Sequence, residues 1–154
     1  MFDPFAELNR LNIGVKNAAR NGISVNDLAQ TAEAVFRRCQ GVKPEWSALR
    51  EVDRQLWIDA ASAEVGIIDI PETEQAALEV SAKSLAKTIY MQYTSKFEAE
   101  LWNALEEREQ IAWEAVARHL ANIIDADSAV VDFANFEDMA VSWGTNRSQQ
   151  LVSV

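Results

Sequence analysis

Trp46-Ser47-Ala48-Leu49-Arg50-Glu51, followed by Trp57 and Ala61, decides the reading of this chain because it is written twice. At an offset of 56 the same positions carry Trp102-Asn103-Ala104-Leu105-Glu106-Glu107, then Trp113 and Ala117. Each copy has the form W-x-A-L-x-E-x5-W-x3-A, with its tryptophans 11 residues apart. The apolar residues ahead of it match at an offset of 54: Ala32 with Ala86, Val35 with Ile89, Phe36 with Tyr90. The small difference in offset falls in a connection, where a change of length costs little. The unit is an amphipathic helix, a loop, a short tryptophan-bearing turn and a second amphipathic helix, over about 24–65 and again over about 77–124. A tryptophan removes roughly 150–250 Å² from water when buried, so four at matching positions read as core anchors before they read as ligand-stacking groups. Such a duplication packs either about a pseudo-two-fold axis or as two units in series.

Working outward, helical spacing extends across most of the chain. Asp3-Pro4 is an N-cap followed by proline at the first helical position. It opens a helix expected to run to about Arg20 and to stop at Asn21-Gly22. Ser24-Val25-Asn26-Asp27 caps a second helix with Leu28, Ala32, Val35, Phe36 and Cys39 on one face and a Glu33/Arg37 pair on the other. A helix over about 51–64 is followed by a break at Gly66–Pro71, where Ile67-Ile68-Asp69-Ile70 is a candidate extended segment without a partner strand. One helix is expected over about 72–93 and another over about 107–124. Beyond Asp125 the pattern weakens to one short element carrying Phe133, Phe136, Met139, Val141 and Trp143, then a loose tail from Ser148. The expectation is a single all-α domain over 1–147, a bundle of five or six main helices containing a duplicated helix–turn–helix unit, with a flexible tail over 148–154.

Composition agrees: 49% apolar and 25% charged residues suit a folded chain, and scarce glycine (5) and proline (3) favour helix. No apolar run reaches the roughly 20 residues that cross a bilayer, and Met1-Phe2-Asp3-Pro4 lacks the basic and apolar regions of a secretion signal. One cysteine, Cys39, excludes an internal disulfide, and a cytoplasmic setting is expected. The formal charge of −10 is concentrated: residues 98–138 hold 11 acids against Arg108 and Arg118. A field of that sign repels nucleic acid and attracts basic partners.

The tryptophan-x-x-leucine turn, followed by a helix with an aromatic and alanines, resembles the later part of an HMG box, a resemblance that implies DNA binding through the minor groove. That family is basic, whereas the second copy here carries Glu106, Glu107, Glu109 and Glu114. Over about 80 residues the pattern is also similar to small helical proteins of tailed phages and prophages.

Catalytic groupings are hard to assemble. A nucleophilic triad needs a base beside serine or cysteine, yet the one histidine, His119, sits one residue off an apolar stripe and reads as a boundary residue. Cys39 reads as a small core residue. Asp125, Asp127 and Asp132 lack the glycine and terminal glutamate of a calcium loop. No phosphate loop or zinc-ligand spacing is present. No enzyme activity, cofactor or metal is expected. The reading that remains is a protein-binding module, a phage or mobile-element inhibitor of a host nucleic-acid-handling or defence complex in the manner of anti-CRISPR proteins. Glu100, Glu106, Glu107, Glu109, Asp125, Asp127, Asp132, Glu137 and Asp138 would meet a basic protein surface as a nucleic acid does. Phe133, Phe136 and Trp143 would serve as apolar anchors. The blander reading of the same acids is solubility. The alternative function is a weak nucleic-acid binder using Arg37, Arg38, Lys43, Arg50 and Arg54 around Trp46. A virion or assembly component acting as a homo-oligomer is the third class.

Overall fold

The computed structural model describes residues 17–77 and 80–150. The expected helix from Asp3 lies almost entirely outside them, as do the last four residues of the expected tail. The described residues form six α-helices and no strands: α1 (Val25–Cys39), α2 (Glu51–Ile68), α3 (Glu72–Ala77), α4 (Ala82–Tyr93), α5 (Glu107–Asp125) and α6 (Phe133–Gln150). Single 3-10 turns stand at Trp46–Ala48, Trp102–Ala104 and Ser128–Val130. The chain is all-α, as the periodicity requires.

The ends of α1 follow from its sequence. Ser24 Oγ accepts from the Asp27 amide at 3.1 Å, relieving one of the unpaired donors of the first turn. At the other end Gly41 adopts φ +74°, while the Val42 amide donates to Arg37 C=O (2.9 Å) and the Gly41 amide to Arg38 C=O (3.0 Å). That is the Schellman closure, and the positive φ explains the glycine.

The duplication is real in three dimensions. Leu49 and Leu105 close the two tryptophan turns at φ/ψ of −69°/144° and −68°/145°, and Arg50 and Glu106 then open α2 and α5 in similar extended conformations. Arg54 Nε donates to Trp46 C=O at 2.9 Å, and at the matching position Gln110 Nε2 donates to Trp102 C=O at 2.8 Å. Two different side chains thus serve the same carbonyl, which also accepts from the amide of the closing leucine, Leu49 or Leu105 (3.2 Å each). Within the copies α1 packs on α2 and α4 on α5; between them α2 packs on α4 and α1 on α5. Exchanging the copies leaves these contacts unchanged, which is what a pseudo-two-fold arrangement requires.

The core sits on that axis. Trp57 and Trp113, the second tryptophan of each copy, stack with centroids 5.4 Å apart and planes 23° apart. Phe36 meets Trp57 at 5.6 Å and its counterpart Tyr90 meets Trp113 at 5.5 Å. Both axial tryptophans are buried, whereas Trp46 and Trp102 are half-buried at the periphery.

Several boundaries differ from expectation. Residues 17–24 are not helical but form a turn with a bridge between Ala18 and Ser24, held by Gly22 at φ +86°. Ile67 and Ile68 continue α2 as buried helical residues instead of an extended segment. The helix expected over 72–93 is interrupted before Ala82, because Ser81 and Ser84 form a reciprocal capping box that starts a new helix. Most of all, the weak region after Asp125 contains an 18-residue helix, α6, that includes Ser148, Gln149 and Gln150 of the supposed tail.

Helix α6 lies across α1 and α5. Asp132 opens it by accepting from the Asn135 amide at 3.1 Å. It approaches closely at Gly144, where a Cβ would stand 2.6 Å from Cys39 Sγ and 3.3 Å from Ala115 Cβ. Arg38 of α1 binds Glu137 at 2.6 Å and Asp138 at 2.8 Å, and the Arg118 guanidinium lies 4.4 Å from the Trp143 ring centre.

Candidate docking face

The nine acidic candidates divide by what the fold does with them. Asp125 pairs with Arg20, and Glu137 and Asp138 are held by Arg38. Asp127 accepts from the Ala129 amide at 3.0 Å and Asp132 caps α6, so both terminate local structure. The remaining four, Glu100, Glu106, Glu107 and Glu109, have no side-chain hydrogen bond or ion pair among the described residues and gather around the second tryptophan turn. Glu107 and Glu109 stand in the first turn of α5, where the helix dipole favours negative charge. The acidic third is therefore not one continuous surface. About half of it is structural, and the rest is local to one end of α5.

The basic alternative is taken apart in the same way. Arg37 pairs with Glu33 (3.2 Å), Arg38 with α6, and Arg50 with Asp53 (3.0 Å). Arg54 is drawn onto the carbonyls of Trp46 and Ser47 and lies 5.9 Å from the Trp46 ring centre. Of the five cations proposed for phosphate contacts, Lys43 is the one left without such a contact among the described residues. Arg38 joining Glu137 and Asp138 means that members of the two rival sites neutralise each other.

Of the four acids around the second tryptophan turn, Glu100 lines an apolar groove of about 420 Å³ between α4 and that turn, together with Lys87, Tyr90, Met91, Phe97, Leu101 and Trp102. Leu101 is 81% exposed, with Phe97 and Met91 also open to solvent. Burial, then the charges of Glu109 and Glu100, push the Tyr90 phenol upward, so both carboxylates act on the groove wall. The apolar anchors expected at Phe133, Phe136 and Trp143 are elsewhere, on α6, with Phe136 and Trp143 packed against the core. Leu101 and Phe97 were missed because they lie in a loop, where helical periodicity assigns no face. A lone leucine flanked by acids (Glu98, Glu100, Glu106) was the available signal.

Three buried polar groups also escaped the sequence reading. His119, expected at a boundary, is 1% exposed; its Nε2 lies 2.7 Å from Thr31 Oγ1, and burial lowers its pKa to about 4, so the ring is neutral. Glu33, expected on the solvent face, is fully buried, accepting from the Glu45 amide at 3.0 Å as well as from Arg37. Glu64 is fully buried, and neither of its carboxylate oxygens has a hydrogen-bond partner among the described residues. None completes a catalytic set. Burial pushes the Cys39 thiol up to about 11, which keeps it protonated and unreactive. Among the described residues no group of three or more His, Cys, Asp or Glu could hold a metal ion, and no helix is long and apolar enough to cross a membrane. The chain matches no family model, no curated protein and no solved structure.

Proposed function

We propose that this protein is a non-enzymatic binding module that docks on a basic protein surface through the face formed by the second tryptophan turn and the start of α5. The observation that carries the reading is Glu100 sharing one groove with the exposed Leu101 and Phe97, while Glu106, Glu107 and Glu109 follow the same tryptophan turn in sequence, all four without an ion pair among the described residues. Interfaces owe most of their affinity to a few apolar or aromatic anchors surrounded by polar rim, and rim charge sets the encounter rate. An acidic rim around an apolar anchor suits a partner that presents cations around an apolar socket. Proteins that handle nucleic acids expose such surfaces, and an inhibitor of one of them, carried by a phage or mobile element, is the role we assign.

Affinity capture from bacterial lysate with quantitative mass spectrometry tests this, using the wild type, a Glu106→Lys/Glu107→Lys/Glu109→Lys variant and Leu101→Ser. The expected result is a basic protein recovered by the wild type and lost with either variant. Retention of that protein by both variants overturns the assignment of this face. A gel shift with duplex DNA that weakens steeply with salt would instead point to phosphate contacts.

A further inference from the structure

A second cavity, of about 450 Å³, opens between α1, the first tryptophan turn and the start of α6. Asp27, Glu33, Glu137, Trp46, Phe133 and Pro44 are among its lining residues, the Glu33 side chain being fully buried; no lysine or arginine lines it, but Arg37 and Arg38 hold Glu33 and Glu137 from outside the lining. It is the counterpart, in part, of the apolar groove of the second copy: Trp46 corresponds to Trp102 and Glu33 to Lys87. The duplicated scaffold carries an exposed lysine at that helical position, so the fold at large does not require an acid there; in this copy the buried Glu33 ties down the Glu45 loop and Arg37. The groups present differ in availability. Glu33 is occupied by the Glu45 amide and Arg37, and Glu137 is bound through Oε2 to Arg38. Asp27 carries no ion pair among the described residues and is exposed at the rim. The uncommitted capacity is therefore the Asp27 carboxylate and Glu137 Oε1, beside the Phe133 ring and the Trp46 ring, which also meets the Arg54 guanidinium at 5.9 Å.

We infer that this pocket binds a primary ammonium on an alkyl stem, the stem lying along Trp46 and Phe133 and the charge meeting Asp27 and Glu137. Aromatic rings and carboxylates together select cations over neutral isosteres, because the ring faces and the acids are both electronegative. The same chemistry is presented by a free diamine and by a protein lysine. The inference is independent of the docking face proposed above, which uses other residues at the second copy.

The test is an NMR titration of the ¹⁵N-labelled full chain at constant ionic strength with three probes: cadaverine, N-acetyl-lysine methylamide and the uncharged N-acetyl-norleucine methylamide. The Trp46 indole N–H and the backbone amides of Ala34 and Ala134 are the reporters. Both ammonium probes are expected to give saturable shifts there and the norleucine probe none. Phe133→Ala and Asp27→Asn should each weaken binding about threefold to tenfold, while Glu106→Lys/Glu107→Lys/Glu109→Lys leaves it unchanged. If Phe133→Ala does not fold, Asp27→Asn decides alone. Tighter binding of cadaverine assigns the pocket to free diamines; equal or tighter binding of the capped lysine assigns it to a protein side chain. Equal shifts with norleucine, non-saturating shifts spread over the surface, or no shifts overturn the assignment.

Discussion

Replacing Glu64 by leucine should stabilise this protein and change how its stability depends on pH. Glu64 is fully buried in α2 without a hydrogen-bond partner for either oxygen, and the corresponding position of the second copy is Leu120, itself 1% exposed. Burial first, and the charge of Asp125 second, push its pKa well above 4.5. The group is thus carried as a neutral acid whose polar atoms have lost water and gained nothing. An unsatisfied buried polar group costs about 1–3 kcal/mol, and leucine is close in volume, so the gain near pH 4.5 should be of that order and should grow toward pH 7. For a domain this size it corresponds to roughly 2–4 °C in Tm per kcal/mol. A folded-state pKa above the unfolded one contributes stability that is complete below about pH 4.5 and is lost as pH rises toward the folded value. The slope approaches about 1.4 kcal/mol per pH unit. Urea unfolding followed by tryptophan fluorescence at pH 5, 7 and 9 measures both effects. The wild type should lose stability across that series more steeply than Glu64→Leu, and Glu64→Gln should share the flatter profile without the full gain at pH 5. A Glu64→Leu variant less stable than wild type at pH 7, with the same pH slope, would refute the reasoning and mean that Glu64 has a hydrated or paired site.

Other outcomes follow from the same contacts. His119 has a lowered folded pKa of about 4, so its contribution is present above the unfolded value near 6.5 and is lost as pH falls toward 4; His119→Asn should remove that acid sensitivity, and the ring's own titration by NMR checks the pKa. Thr31→Val should cost about 1–3 kcal/mol in a denaturant melt, because it strips the buried imidazole of its hydroxyl partner. Gly144→Ala should destabilise by about 1–3 kcal/mol through overpacking on Cys39. In a Cys39→Ala background it should stabilise by up to about 1 kcal/mol, since helix propensity then dominates; thermal melts of the four proteins read the change of sign. Trp57→Ala and Trp113→Ala should each cost about 3–5 kcal/mol, clearly more than the same change at the half-buried Trp46 or Trp102.

Much of this architecture was legible because it is periodic. The tryptophan repeat located both turns and the helices that follow them, and the matching Phe36 and Tyr90 located the helices that precede them. What periodicity cannot see was missed. Helix α6 carries Ser142, Gly144, Thr145 and Asn146 in its second half, weak helix formers that are tolerated because Gly144 is needed against Cys39 and because Arg38 and Arg118 hold the helix from outside. The burial of Glu33 was invisible because its partner is a backbone amide in a loop 12 residues away. The candidate site was legible only in part: charge concentration pointed to residues 98–138, but which acids stay unpaired depends on Arg20 and Arg38, and both are remote in sequence from the acids they bind.

The duplication supplies a control that a single-copy protein lacks. Where both copies keep a feature, it belongs to the scaffold: the leucine that closes each tryptophan turn, the stacked Trp57 and Trp113, and the carbonyl served by Arg54 in one copy and Gln110 in the other. Where they differ, the scaffold has shown that it does not require the difference. Glu33 against Lys87 and Arg50 against Glu106 are inversions of charge at matching positions of the repeat, the first also a change from buried to exposed, and Glu64 against Leu120 is a buried acid where an apolar residue suffices. Glu33 and Lys87 line the two grooves beside the tryptophan turns, and Arg50 and Glu106 cap the helices that follow those turns. One groove is lined with carboxylates and aromatic rings, the other is apolar with an acidic rim, and both rest on the same helix–turn–helix frame. Divergence at the grooves while the frame is retained is the pattern expected when each copy keeps its packing role and recognises a different feature of what it binds. A variant carrying Glu33→Lys should therefore impair the first groove and leave the docking face of the second intact, provided the loop at Glu45 tolerates loss of its acceptor.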